Sequence, residues 1–322
     1  MKRRCLGGLL ALVGALCTLP AQASGYPERP VKLIVPFAAG GSTDLLARVV
    51  ARAFEKEIGQ PFVVENVGGA GATLGTARVA HAPADGYTLL LGSSSALVIA
   101  PHLYKVGYDG RTSFEPIGKV ATASFVLMTR AGSGMDHFEQ LVARAHAEPG
   151  RLTFGSPGTG SALHLAIEMM LDRAKLQAVH VPFTGSAPVY TALLGSHIDF
   201  MVDSPSGAVP MVKSGRIVAL AVTSRTREHE LPKVPTLEEL GLKDFEAMAW
   251  FAMMAPKGTP QAVVQRLGQT LVQVLKQPEV RSAMAGAGFR PVEDSGTLSA
   301  DITREYARWG DTMARSGVKL DK

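Results

Sequence analysis

Apolar residues in this chain alternate between two spacings. Val31-Lys-Leu-Ile-Val-Pro-Phe37, apolar but for Lys32, reads as a strand. After the small residues 38–42, Leu45, Leu46, Val49, Val50, Ala53, Phe54 and Ile58 recur at helical spacing, and Gly59 is a suitable stop. A second strand is predicted over 62–65, a glycine-rich loop over 68–71 and a short helix over 73–82. Asp85-Gly86 signals a turn before a strand over 87–92.

The same alternation continues along the chain. Strands are predicted over 125–128, 152–154, 179–183, 198–202 and 217–223. Helices are predicted from Asp136, with Glu139 completing a capping box, from the end of the loop 155–161 to about Ala174, and from Gly185-Ser186. The apolar stretch 250–255 would return the chain to its first unit. Thr259-Pro260 starts a helix whose buried stripe is Val263, Val264, Leu267, Leu271, Val274 and Leu275. An amphipathic helix over 297–317 carries Ile302, Tyr306, Trp309 and Met313. Strands alternating with helices predict a parallel sheet covered by helices. The length of 322 residues suggests two domains.

The first residues change what composition means. Lys2, Arg3 and Arg4 precede an uncharged apolar run of 14 residues, 6–19, and Ala21-Gln22-Ala23 is a cleavage motif. This is the pattern of a secretory signal peptide cut after Ala23. The alternative, a membrane anchor, needs about 20 apolar residues, and Pro20 ends the run early. Cleavage removes both cysteines, Cys5 and Cys17, and lowers the net charge from +5 by three to +2. The product would be exported, cysteine-free and nearly neutral, with no thiol chemistry and no nucleic-acid surface.

Signatures of catalysis are missing. The eight histidines fall in no H-E-x-x-H pattern, and no G-x-S-x-G elbow occurs. Gly155-Ser-Pro-Gly-Thr-Gly-Ser161 has a serine where a phosphate loop carries lysine. Gly69-Ala-Gly71 is followed by Leu74 where a dinucleotide fingerprint has its third glycine. What recurs instead is position: the small-residue loops 38–43, 68–73, 93–95, 156–161 and 184–186 each follow a strand and precede a helix. In open α/β sheets the ligand crevice lies at that edge. Helix-start N–H groups there bind carboxylate or phosphate without a basic side chain.

Several of these residues have structural readings beside the functional one. Ser42 or Thr43 suits a helix N-cap as well as a ligand contact. Asp44 fits the first turn of a helix. His164 could be packed in the core, Asp203 could satisfy loop amides, and Phe37 and Phe183 could be core rather than pocket wall.

Ordered blocks along the chain resemble the Bug family, the substrate-binding proteins of tripartite tricarboxylate transporters. They are Tyr26-Pro-Glu-Arg-Pro-Val-Lys-Leu-Ile-Val-Pro-Phe-Ala-Ala-Gly-Gly-Ser-Thr-Asp44, Pro83-Ala-Asp-Gly-Tyr-Thr-Leu89, His180-Val-Pro-Phe-Thr-Gly-Ser186, Leu220-Ala-Val-Thr223, Leu231-Pro-Lys-Val-Pro-Thr236 and Ala255-Pro-Lys-Gly-Thr-Pro260. The resemblance implies an α/β clamshell of the type II periplasmic-binding-protein class. Its domains would be 24–123 with 248–322, and 124–247, closing on a cleft. It implies no enzymatic activity and no cofactor. The implied partner is a small carboxylate (a di- or tricarboxylate, an aromatic carboxylate or an amino acid), bound by a monomer through backbone amides and ordered waters. Delivery would be to permease subunits, or the protein would signal to a sensor kinase. An exported hydrolase or lyase is a further alternative.

Carried over by position, the implied ligand residues are Ala38, Thr43 and Asp44 in the first loop, Ala70 and Thr73 in the second and Ser94 in the third. Ser156, Thr159, Ser161, His164 and Asp203 come from the second domain, and Phe37 completes the candidate set. The sequence departs from the family pattern at Ala72, Ala100, Pro157 and Thr184. Pro157 stiffens its loop and removes an N–H.

Overall fold

The computed structural model describes residues 25–183, 185–293 and 298–316. The expected export segment and Thr184 lie outside the described residues, as do 297 and 317 at the ends of the expected last helix.

The chain opens with β1 (Val31–Val35), α1 (Ser42–Ile58), β2 (Phe62–Asn66), a 3₁₀ turn Ala70–Ala72, α2 (Thr73–Ala80) and β3 (Thr88–Ser93). Leu46, Ala47, Val50, Ala51 and Phe54 form the buried stripe of α1, and Gly59 ends it in the left-handed conformation that favours glycine (φ 80°). A π-turn, Ser95–Ile99, leads into α3 (Ala100–Leu103) and then β4 (Phe114–Ala123). The middle of the chain holds β5 (Val126–Arg130), α4 (Phe138–Ala147), β6 (Thr153–Ser156), α5 (Ala162–Ala174), β7 (Val179–Pro182), α6 (Ser186–Leu194), β8 (Phe200–Asp203), α7 (Pro205–Lys213) and β9 (Ile217–Val222). The last elements are β10 (Ala249–Pro256), α8 (Gln261–Lys276), α9 (Pro278–Gly286), β11 (Arg290–Pro291) and α10 (Leu298–Ser316). All six residues expected on the buried stripe of α8 are buried.

The described strands form two sheets, ordered β11-β4-β10-β3-β1-β2 and β7-β6-β8-β5-β9. Their helices make this a two-lobed α/β fold. Neither sheet is wholly parallel, which corrects the expectation from strand–helix alternation. β1 runs parallel to β2 and β3, but β10 is antiparallel to β3 and β4. β6 is parallel to β7 and β8, but β5 is antiparallel to β8 and β9. β5 and β10, which run against most of their sheets, each follow a connection from the other lobe. β10 is buried at every position because it is central in its sheet.

Two connections, 124–125 and 223–248, join the sheets and run side by side. Phe125 N–H donates to Thr223 Oγ1 at 2.8 Å, Thr223 Oγ1 donates to Ala247 O at 2.6 Å, and Ala247 N–H donates to Thr223 O at 3.0 Å. Arg290 on β11 reaches Glu228 at 2.8 Å beside this crossing, where Ser124 also bonds Glu228.

The start of α4 differs from expectation. Its cap is His137, and Gln140 Oε1 accepts the N–H groups of both Asp136 (2.7 Å) and His137 (3.0 Å). Asp136 therefore precedes the cap, and Gln140 rather than Glu139 closes it.

Candidate functional site

β1, β2 and β3 are parallel, so the loops 36–41, 67–72 and 94 leave the same edge of the first sheet. The same holds for the loops after β6, β7 and β8 in the second sheet. The two edges meet: Leu165 of α5 is buried in one cluster with Trp250, Ile302 and Trp309 of the first lobe. Leu103 lies so near Gly160 that a Cβ there would stand 2.2 Å from Leu103 Cδ1.

The first lobe presents backbone. Residues 38–42 are exposed, and the cap of α1 is Gly41, with no side-chain bond to the helix start among the described residues. Neither Ser42 nor Thr43 is the cap, because both are already helical. Thr43 is buried in the first turn. Asp44 turns back instead: its Oδ2 accepts from Gly40 N–H and Arg48 Nε, each at 3.0 Å. The Arg48 guanidinium holds the Asp44 carboxyl below the usual carboxylate range. Phe37 is half-buried against the core, and its carbonyl accepts from Asn66 Nδ2 at 3.2 Å.

The second loop packs backbone on backbone against the first. A Cβ on Gly68 would stand 3.2 Å from Ala38 N, and one on Gly75 would stand 2.6 Å from Val67 O. Ala70 lies in the 3₁₀ turn, followed by Gly71 (φ 63°) and Ala72 (φ 73°). Thr73 begins α2 and is buried. Ala72 is a non-glycine residue in the left-handed region, a conformation that costs about 1–2 kcal/mol. In the third loop Ser94 Oγ accepts from Trp250 N–H at 3.3 Å, so this hydroxyl is turned to β10.

The second lobe uses side chains to hold its loop. Ser156 is fully buried; its Oγ lies 2.7 Å from His180 Nε2 and 3.0 Å from Gly158 O. Ser161 caps α5 by accepting from His164 N–H at 3.1 Å. His164 Nδ1 accepts from Gly160 N–H at 2.9 Å, which places the ring proton on Nε2, 3.4 Å from Glu168 Oε1. The imidazoles of His164 and His180 stack at 3.7 Å between centroids and 12° between planes, and Phe154 stacks on His180 at 5.0 Å. Burial and the neighbouring His164 push His180 down to a pKa of about 4, so it is neutral at pH 7. Thr159 is half-buried in the same loop.

Asp203 ends β8, buried beneath the starts of α6 and α7. Its Oδ1 accepts Ser204 N–H at 2.8 Å, and desolvation raises its pKa. A Cβ on Gly207 would stand 3.0 Å from Asp203 Oδ2 and 2.9 Å from Tyr190 Oη, so this corner is full.

Thus Ala38, Thr43, Asp44, Ala70, Thr73 and Ser94 gather at one sheet edge, and Ser156, Thr159, Ser161, His164 and Asp203 at the other. Asp44, Ser156, Ser161, His164 and Asp203 direct polar atoms at their own loops, and Ser94 directs its hydroxyl at β10. Sequence reasoning did not single out His180 as a loop holder, nor Leu103 and Tyr104. The register Phe154↔His180 beside the serine loop is the signal for the first. Ser156 and His180 do not make a nucleophile relay: the hydroxyl is buried and the neighbour of His180 is a stacked imidazole, not a carboxylate. Among the described residues no group of three or more His, Cys, Asp or Glu could hold a metal, and no helix is long and apolar enough to cross a membrane.

Comparison with known proteins agrees with this geometry. The family described as tripartite tricarboxylate transporter family receptor matches residues 46–318. BugT of Bordetella pertussis is 37% identical over 328 residues, covering 97% of this chain and 98% of BugT. The structure of the periplasmic binding protein BugD is 36% identical with a TM-score of 0.77, covering 92% of this chain and 100% of that one. R. palustris Rpa4515 with adipate is 30% identical with a TM-score of 0.80, covering 91% and 99% of the two chains. MatC from Rhodopseudomonas palustris with bound malate is 31% identical with a TM-score of 0.75, covering 89% and 99%. The chain therefore belongs to the tripartite tricarboxylate transporter receptors, the TctC or Bug family of periplasmic solute-binding proteins.

Proposed function

We infer that this protein captures a small carboxylate between its lobes and delivers it to a tripartite-type membrane transporter. The lobes would divide as 24–123 with 248–322, and 124–247, with the export segment removed after Ala23. The observation that carries this reading is the start of α1, which no described side chain caps, and its exposed loop 38–42, at the edge facing the second lobe. Backbone N–H groups at a helix start carry partial positive charge and suit a carboxylate.

The nearby ionic groups are already occupied or neutral. Arg48 is engaged by Asp44, and His180 is uncharged at pH 7. Recognition would then rest on amide dipoles rather than on a basic side chain. Rpa4515 and MatC, whose structures hold adipate and malate, support the ligand class. A ligand touching both lobes favours their closed arrangement.

Isothermal calorimetry against adipate, malate, aromatic carboxylates and acidic amino acids tests the reading. At least one of these should bind with a stoichiometry of about one per chain. Absence of heat for the whole panel up to millimolar concentration contradicts it.

A further inference from the structure

The segment after β3 does not continue as an ordinary helix. Ser95–Ile99 winds as a π-turn, a geometry that inserts extra backbone and is frequent at functional sites. The short α3 that follows ends at Leu103, and Tyr104 is already extended (φ −122°, ψ 149°). Its N–H is tied to Ala100 O at 2.8 Å.

These two neighbours touch the loops of opposite lobes. Leu103 presses on Gly160, which lies in the loop 157–161 of the second lobe with φ +76°. The ring of Tyr104 covers Gly71 in the first lobe: a Cβ there would stand 3.6 Å from Cε2 and 3.9 Å from Oη. Tyr104 is half-buried, and its hydroxyl has no hydrogen-bond partner among the described residues. Consecutive residues thus reach one loop of each lobe: Leu103 packs against the core of the first lobe and touches Gly160, and the phenol of Tyr104 lies over Gly71.

We propose that Leu103 and Tyr104 set the specificity of the cleft. Leu103 contacts the methylene body of the ligand, and Tyr104 Oη donates a hydrogen bond to an oxygen at the end remote from the carboxylate held by the amides. The ligand class is a short dicarboxylate, in preference to a monocarboxylate of equal length. This rests on the carboxylate reading above. Each side chain has one job: the phenol needs an acceptor, and the leucine rewards an unsubstituted carbon chain.

The test measures calorimetric affinities of the wild type, Tyr104→Phe and Leu103→Ala for adipate, malate and hexanoate. Wild type should prefer adipate to hexanoate. Tyr104→Phe keeps the ring over Gly71 and removes only the hydroxyl, so it should weaken adipate about 3- to 10-fold and leave hexanoate unchanged. Leu103→Ala should weaken adipate more than malate. The adipate-to-hexanoate ratio is the deciding readout, because general loosening of the fold lowers both affinities together. If wild type binds adipate or malate and Tyr104→Phe leaves that ratio unmoved, the proposal is overturned while the carboxylate reading stands. If wild type binds a carboxylate but neither adipate nor malate, the proposal is overturned and the carboxylate reading stands; if it binds no carboxylate, the reading itself falls and takes the proposal with it.

Discussion

At the edge of the first sheet, residues 38–42 stand exposed and no described side chain caps the helix they begin. At the edge of the second, Ser156, Ser161, His164 and His180 are tied to one another and to the loop backbone. The first lobe packs its loops by close backbone contact at Gly68 and Gly75, with Asp44 and Asn66 each bonding one loop backbone group; the second ties its loop through a stacked and hydrogen-bonded set of side chains. The difference separates two meanings of a polar residue in a cleft loop. Ser156 and His164 sit where ligand contacts are expected, yet their polar atoms serve the loop. Ser42 is exposed and bonded to nothing that caps its helix.

The strongest way to break this contrast is to fill the backbone contact. Gly75→Ala would set its Cβ 2.6 Å from Val67 O and 2.9 Å from Pro36 Cα. Urea unfolding should show a loss of about 3 kcal/mol, because backbone cannot move aside as a flexible side chain does. Arg48→Ala comes next. It leaves Asp44, only 3% exposed, without its charged partner, and should cost about 2 kcal/mol in the same measurement.

Acid should then find the second lobe. Unfolded, His180 takes up a proton near its ordinary pKa of 6.5; folded, it does so only at about 4. The unfolded state binds more protons between these values. The contribution of His180 to stability is therefore full above pH 6.5 and is lost as pH falls toward 4. The thermal midpoint should drop across that window, and the difference between wild type and His180→Gln isolates this share from the carboxylates. A difference that is flat with pH would contradict the buried neutral stack. The smallest effects form a matched pair. Ser161→Ala removes a true cap and should cost about 1 kcal/mol by urea unfolding, whereas Ser42→Ala should cost less than about 0.5 kcal/mol.

Much of the scaffold was readable because it is local. The stripe of α8 and the stop at Gly59 follow from spacing and from glycine alone. β4 was not readable, because Pro116, Gly118 and Lys119 interrupt its apolar pattern; its pairing with β10 supplies what its own sequence lacks. α7 escaped for a similar reason, with Pro205 at its start and Pro210 inside it. Strand direction also depends on the distant partners of β10 and β5, which no local pattern contains.

The candidate site divides in the same way. Small-residue loops after strands were visible as loops, but the direction of each side chain was not. That Ser94 turns to Trp250, or that His164 accepts from Gly160, depends on contacts made only after folding. Leu103 and Tyr104 were not singled out, because the π-turn that precedes them leaves no mark in the hydrophobic pattern.

The central claim is that the carboxylate is held at the exposed start of α1, between the loops of the two lobes. It is tested most directly by amide chemical-shift mapping in a titration with adipate and malate. The account predicts that the largest amide perturbations fall in residues 38–42 and in the loop 158–163, with saturation at one ligand per chain. Saturable binding whose perturbations lie on the outer faces of the lobes, with both loops unmoved, would contradict it.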